Sequence, residues 1–201
     1  WIIRRIMERR IFQEYWKYYI HLEQLLMNTF DFVALNKDNF GTYSNQYASI
    51  LQLTGAELDA FFKAFFEIKR SNDFNIKIYI KQLIDKQPKL IQQRVKILDT
   101  DIILIPFEKC ESVLKNNPMI WWKAFTGIKH NRIEYFSKAT LENCLLMLSA
   151  LYMLECQCIL EIGEKDKSAD SPNPESKLFV LEDWKAKWVD PSNNLMFEIK
   201  K

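Results

Sequence analysis

The stretch at residues 140–162, TLENCLLMLSALYMLECQCILEI, decides the fold class of this chain. Its apolar residues point in nearly every direction around a helix, and no glycine or proline interrupts it. A helix that is apolar on all sides is normally buried, so we expect it to be the central member of a helical bundle. Its uncharged part, residues 143–154, is shorter than the roughly 20 residues that a membrane span requires, and we predict no membrane association.

The chain contains only four glycines and six prolines, and this scarcity favours long uninterrupted helices. Two long amphipathic helices are expected in the first third of the chain, at about residues 12–33 and after Ser44, which is suited to an N-cap. Shorter helices are expected at about residues 75–87 and 121–130. The two apolar stripes consist of Phe12, Trp16, Tyr19, Leu26, Phe30 and Val33, and of Tyr47, Ile50, Leu51, Thr54, Leu58, Phe61, Phe65 and Ile68.

Residues 94–107 show a β pattern instead, because β-branched and apolar residues flank a polar turn at residues 99–101. The predicted fold class is therefore mainly α, a helical bundle with a small β-hairpin insertion. We assign residues 1–163 to the bundle, 164–176 to a polar linker and 177–201 to a C-terminal appendage. Two apolar runs in the appendage, at about 178–181 and 196–199, either add strands to the hairpin or dock as separate segments.

Charge is distributed unevenly along the chain. The overall net charge of +2 is too small to imply a nucleic-acid partner by itself. Between residues 115 and 138, however, five basic side chains stand against one carboxylate, which gives a local net charge of +4. The six residues are Lys115, Lys123, Lys129, Arg132 and Lys138, with Glu134 as the carboxylate.

The cysteine spacing does not suggest a disulfide framework or a metal site. Cys156 and Cys158 are two residues apart, so on a helix they point to nearly opposite sides. Neither this pair nor Cys110 and Cys144 gives a CxxC or zinc-knuckle spacing. We expect buried free thiols in a reducing cytoplasm, with no metal and no other cofactor.

The most informative stretch for function lies at residues 121–132, WWKAFTGIKHNR. On a helix, Lys123 and His130 are two turns apart along one face, with Thr126 and Gly127 between them. Gly127 is expected to leave backbone open to a neighbour or ligand. Nearby aromatic residues offer stacking surfaces for bases, and they are Trp121, Trp122, Tyr135 and Phe136.

A histidine among cations suits phosphodiester chemistry. Neutral imidazole can accept a proton from a ribose 2′-hydroxyl, and cations can stabilise the charge that develops on phosphorus. The alternative is structural: His130 ends the helix, and Lys129 and Arg132 are simply solvated. Composition and spacing alone favour this alternative.

The pattern of Trp122-Lys123, Phe125 and Ile128-Lys129-His130 with Arg132, followed by a long apolar helix, resembles the prokaryotic HEPN superfamily. The resemblance implies a helical bundle. Many such proteins are metal-independent endoribonucleases of toxin–antitoxin, abortive-infection or CRISPR systems, usually with the site at a homodimer interface, and others bind nucleotides or have lost catalysis. The family motif is an arginine followed after four to six residues by a histidine. Lys123 stands in place of that arginine, and it keeps the charge but lacks the planar fork.

The resemblance also implies roles for individual residues. His130 would be the general base, Lys123 and Arg132 would stabilise the transition state, and Lys129 would bind phosphate. Asn131 and Trp122 would contribute to binding RNA.

Three acidic residues complete the predicted site. Glu57 is expected to face the helix of His130 and to hold the imidazole or a cation, with Asp59 and Glu23 as further supporting carboxylates. The structural alternative, which we favour for these residues, is a buried ion pair or a hydrogen bond to tryptophan or tyrosine. His21 is interpreted as a surface residue.

Three functions follow from these observations. The first is a HEPN-like endoribonuclease of a phage-defence or toxin system, with RNA as substrate and an antitoxin or other protein as partner. The second is a non-catalytic HEPN-like module that binds RNA, nucleotide or protein. The third is a helical scaffold whose function lies in residues 164–201, which contain Trp184 and Trp188.

Overall fold

The computed structural model describes residues 8–68, 75–166, 171–183, 185–189 and 195–200. Most of this part is helical, which confirms a mainly α fold with a small β insertion. The α-helices are α1 (Arg9–Met27), α2 (Asn45–Phe65), α3 (Ile76–Lys86), α4 (Ile120–His130), α5 (Arg132–Tyr135) and α6 (Leu141–Asp166). Two predictions concern residues outside the described part of the chain. They are the end of the second helix at residues 70–73 and the role of Trp184. The side chains of residues 185–200 are also outside it.

The helix α6 is the centre of the bundle. It packs against α1, α2 and α4, and its side chains are buried along most of its length. Its length and composition would allow it to cross a membrane, but 78% of its most apolar window is buried inside the fold. It is therefore a core helix, as its all-round apolar pattern predicts.

The helices α2 and α6 start together and run in the same direction. A β-bridge joins Tyr43 to Thr140 just before the two helices begin. One turn further on, the Sγ of Cys144 donates a hydrogen bond to the backbone oxygen of Tyr47, at 3.4 Å. Ser44 caps α2 as predicted, because its Oγ accepts a hydrogen bond from the amide of Tyr47 at 3.1 Å.

The predicted β-hairpin is confirmed. Strands β1 (Val95–Ile97) and β2 (Ile103–Leu104) pair in antiparallel fashion, and β3 (Phe179–Leu181) pairs with β1 on its other side. Strands β4 (Lys185–Val189) and β5 (Leu195–Lys200) form a separate antiparallel pair. The first apolar run of the appendage thus extends the hairpin sheet, whereas the second does not.

The segment before β3 packs on α1 instead of forming a free linker. The indole nitrogen of Trp16 donates to the backbone oxygen of Pro174 at 2.7 Å. Residues 164–166 complete α6, so the described parts of the predicted linker belong to the folded domain. The sequence pattern misses this because the packing depends on buried side chains of α1, more than 150 positions away.

Glu23 fixes this segment to α1. The side chain is 2% exposed, and its carboxylate accepts hydrogen bonds from four donors. The donors are the hydroxyls of Tyr19 and Ser176 and the amides of Lys177 and Leu178. Glu23 thus has the structural role given as the alternative above, a buried carboxylate bonded to a tyrosine, because a buried carboxylate requires partners.

All four cysteines are free and buried. Burial raises the pKa of the Cys110 thiol to about 11 and that of Cys158 to about 12. The expected buried free thiols are thus found in the core, where the protonated form is favoured.

Candidate functional site

A groove of about 620 Å³ lies between α2 and α4, at the point where α3 begins. Side chains of α2 and α4 form its two walls, and the cap residue and first residue of α3 close one end. Helix α2 contributes Gln52, Ala56, Asp59 and Lys63, helix α4 contributes Trp122, Phe125, Thr126, Lys129 and His130, and Asn75 and Ile76 lie at the end. We call this the α2–α4 groove.

The close approach of α2 and α4 depends on Gly55. A Cβ atom at this position would lie 2.4 Å from the Phe125 ring, so only glycine lets the ring sit against the backbone of α2. Phe125 and Trp122 pack edge to face, with ring centroids 5.4 Å apart. Both rings are largely buried, and together with Ile76 they form an apolar floor.

Lys129 and His130 stand at the exposed rim of the groove. The Lys129 Nζ lies 5.8 Å from the centroid of the Phe125 ring, a cation–π contact that holds the stem against the floor. His130 is the last residue of α4, and its side chain is exposed. Within the described part of the chain its imidazole has no hydrogen-bond partner, so both ring nitrogens are open to a ligand.

Asp59 and Lys63 face this rim from α2. They form an ion pair at i and i+4, and the Asp59 Oδ1 also accepts a hydrogen bond from the hydroxyl of Tyr79 at 2.5 Å. Burial and the bond to Asp59 raise the pKa of Tyr79 well above its usual range. Tyr79 therefore keeps its proton at neutral pH and donates a hydrogen bond to Asp59.

The end of the groove at α3 carries a polar amide. Asn75 caps α3, and its Oδ1 accepts hydrogen bonds from the amides of Lys77 and Ile78. The Asn75 side chain is exposed beside the buried Ile76. The groove thus combines an apolar floor with a rim of amides, cations and one carboxylate, and its charged rim has a net charge of +1 with neutral His130.

Three of the predicted binding and catalytic residues lie outside the groove. Lys123 is exposed on α4, and a separation of seven residues places it about 10 Å along the axis from His130. Arg132 Nη1 instead donates to Asn45 Oδ1 at 3.4 Å, at the start of α2. Asn131 caps α5 by accepting from the amide of Glu134 and donating to its carboxylate.

Two of the predicted acidic residues are also elsewhere. Glu57 faces α1, where it lines a cavity of about 290 Å³ with Tyr15, so the expectation that it faces the His130 helix is wrong. Burial raises the pKa of Glu57. Glu23 holds the C-terminal segment, as described above. Helix periodicity explains the difference, because residues 57 and 59 are about 200° apart around α2 and only Asp59 turns toward α4.

Gly127 does not offer an open stretch of backbone. A Cβ there would lie 2.3 Å from Tyr135 Cδ1, so the glycine accommodates this ring as α5 folds back. Trp121 is 1% exposed, and its indole nitrogen donates to the backbone oxygen of Pro106. Of the four predicted stacking residues, only Trp122 lines the groove, and the half-buried Tyr135 and Phe136 lie outside it.

Sequence reasoning missed Gln52, Lys63 and Asn75. Gln52 and Lys63 share one helix face with the predicted Asp59, but they flank the apolar stripe of α2 and belong to no motif. From the sequence, Asn75 is only a candidate helix cap. Among the residues that the structure describes, no three histidine, cysteine or acidic side chains are grouped to hold a metal ion.

Comparisons of the chain with protein-family models, with curated proteins and with solved structures find no match in any of the three.

Proposed function

We propose that this chain is a HEPN-like module that binds single-stranded RNA and holds one of its nucleotides in the α2–α4 groove. The observation that carries this proposal is the position of Lys63, Lys129 and His130 around one apolar floor. Cations at the rim suit phosphate oxygens, and an apolar, aromatic floor suits a base. A volume of about 620 Å³ lies within the range of small-ligand sites.

The charge pattern supports binding to RNA more than to a protein partner. The groove combines hydrogen-bonding amides, which suit base edges, with two lysine cations, which suit phosphate oxygens. Its net charge is small, so we expect modest affinity that weakens with salt. The resemblance to HEPN proteins adds a role in a phage-defence or toxin system, a cytoplasmic location, a homodimer and an antitoxin partner to the proposal.

Fluorescence anisotropy with a labelled RNA of about six nucleotides tests the binding site. Lys129→Gln is expected to weaken binding about five- to tenfold and to reduce the slope of log K against log salt by about 0.7, because one phosphate contact is lost. Lys123→Gln is the matched control, since it removes the same charge from the same helix outside the groove. Equal losses in both variants would show that the groove is not the site.

A metal-independent endoribonuclease is the second candidate. The exposure of His130 beside a groove favours it, because the imidazole is free to act as a general base. The position of Lys123 and Arg132 outside the groove disfavours it, since transition-state donors must lie within hydrogen-bonding distance of the phosphate. Lys63 and Lys129 would have to take that role.

Cleavage of mixed cellular RNA in the presence of a chelator separates the two candidates. If the chain is an endoribonuclease, the unmodified protein and His21→Ala cleave the RNA, and His130→Ala does not. His21 is the matched control, because it is the only other histidine and is exposed on α1. Binding without cleavage in all three proteins removes the catalytic candidate.

A further inference from the structure

Asp59 is the one carboxylate among the groove residues, and a phosphate site does not explain it. A carboxylate close to bound phosphate repels it, and its pairing with Lys63 also weakens the pull of that lysine on an anion. A carboxylate in a nucleotide site is favourable where it accepts hydrogen bonds from donors of the ligand. In a nucleotide these donors are sugar hydroxyls and base N–H groups.

The Asp59 carboxylate retains acceptor capacity that faces the groove. Its Oδ1 accepts from the Tyr79 hydroxyl, and its Oδ2 accepts from the Lys63 ammonium. An ionised carboxylate offers about four lone-pair positions, so about two remain after these bonds. The side chain is 33% exposed, which leaves these positions accessible to a ligand.

The orientation of Asp59 is fixed by residues that cannot move easily. Tyr79 is fully buried, and its ring stacks on Phe62 with centroids 4.9 Å apart. The Tyr79 ring also packs edge to face against Trp122, with ring centroids 6.3 Å apart, so Tyr79 links Asp59 to the groove floor. Because buried rings hold the donor, the carboxylate is preorganised before a ligand arrives.

We propose that Asp59 accepts a hydrogen bond from the ribose 2′-hydroxyl and thereby selects ribonucleotides over deoxyribonucleotides. This inference rests on the proposed RNA-binding function of the α2–α4 groove. The 2′-hydroxyl is the group that distinguishes the two sugars, and it is both donor and acceptor. Lys63 pairs with Oδ2 of the same carboxylate and holds a positive charge at this part of the groove.

Competition binding with three oligonucleotides of equal length tests this inference. The probes are oligouridine, oligodeoxyuridine and 2′-O-methyl oligouridine, which share one base and differ only at the 2′ position. The unmodified chain is expected to prefer oligouridine over the other two about tenfold, the effect of one hydrogen bond to a charged group. Because the methylated sugar keeps the oxygen but lacks the proton, equal loss with both probes identifies the donor as the 2′-hydroxyl.

Variants then assign the preference to Asp59. Asp59→Asn is expected to reduce the preference to about threefold or less, because a neutral amide oxygen accepts a weaker hydrogen bond from the 2′-hydroxyl than a carboxylate does. Tyr79→Phe, which removes the orienting donor, is expected to reduce the preference to about threefold. Glu57→Gln is the matched control on the same helix, and it keeps the full preference because Glu57 faces α1.

The outcomes separate this inference from the proposed function. Equal affinity of the unmodified chain for oligouridine and oligodeoxyuridine overturns the role of Asp59 but leaves RNA binding in the groove intact. Absence of binding to all three probes, or binding that Lys129→Gln does not weaken, overturns the proposed function itself. Where Asp59→Asn does not fold, Tyr79→Phe assigns the preference instead, and an unchanged preference of about tenfold in that variant overturns the role of Asp59.

Discussion

Gly55 and Phe125 set the distance between the two walls of the groove. The ring lies where a Cβ at residue 55 would be, and the same ring supports Lys129. The width of the groove and the position of one of its cations therefore depend on the absence of a single carbon atom. A glycine within a helix costs about 1 kcal/mol relative to alanine, so the close packing has to offset this cost.

Gly55→Ala is expected to lower the free energy of unfolding by about 1–2 kcal/mol. The gain in helix propensity of about 1 kcal/mol is outweighed by overpacking of about 1–3 kcal/mol or more, because the Phe125 ring is enclosed and cannot move aside freely. Urea unfolding measures the change. Gly41→Ala is the control, since nothing lies within 4 Å of its added Cβ, and it is expected to be neutral. A stabilised Gly55→Ala protein would contradict the tight packing of α2 on α4.

At the scale of elements, the packing of α2 against α6 brings the fully buried Glu155 close to the half-buried Glu57. The helices run in parallel from the contact between Tyr47 and Cys144, so Glu155 lies level with Glu57 and Leu58. Glu155 is fully buried, and neither of its carboxyl oxygens has a hydrogen-bond partner in the described residues. Burial, and then the charge of Glu57, raise the pKa of Glu155 well above its usual range.

Stability is therefore expected to fall as the pH rises. A carboxyl group whose pKa is raised by folding contributes its full stability below the unfolded value of about 4.3 and loses it at higher pH, by up to about 1.4 kcal/mol per pH unit. Thermal unfolding between about pH 5 and 8 measures the slope. Glu155→Gln is expected to flatten it, whereas Glu164→Gln, at an exposed site on the same helix, keeps it. Identical slopes in the two variants would refute this account.

The sequence predicts the elements much better than it predicts the groove. Periodicity finds α1, α2, α3, α4 and α6, the cap at Ser44 and the β-hairpin, because each depends on residues close together in the chain. The groove depends on how α2 is rotated against α4, and Gly55 and Phe125 determine that rotation through a contact across 70 positions. His130, Lys129 and Trp122 line the groove together, whereas Glu57 faces α1 and the sequence pattern does not single out Lys63.

At the scale of the whole molecule, one buried carboxylate joins the first helix to the segment that precedes strand β3. Glu23 on α1 receives the Ser176 hydroxyl and the amides of Lys177 and Leu178, next to strand β3. Strand β3 in turn pairs with β1, so α1 and the sheet are connected through this segment. The third hypothesis treats residues 164–201 as a functional part separate from the bundle. The hydrogen bonds of residues 176–181 to α1 and β1 disfavour this separation.

Glu23→Ala is expected to destabilise the protein by about 2–4 kcal/mol, because several buried donors lose their acceptor. The segment around Lys177 is then expected to be cleaved by trypsin several times faster, which mass spectrometry of the fragments measures. Glu14→Ala is the matched control on α1, since Glu14 is exposed and its carboxylate pairs with Lys17 one turn away on the same helix. An unchanged rate of cleavage at Lys177 would show that the segment is held by other contacts.

The burial of all four cysteines has a consequence for experiments on the intact protein. Protonated thiols enclosed in a core react slowly with alkylating reagents, since the thiolate is the reactive form. Modification must then wait for the core to open, and its rate reports how often the bundle exposes its interior. The four thiols of the native chain therefore report global opening, and a ligand that binds in the groove should slow their labelling by a factor of one plus the ratio of the free ligand concentration to Kd.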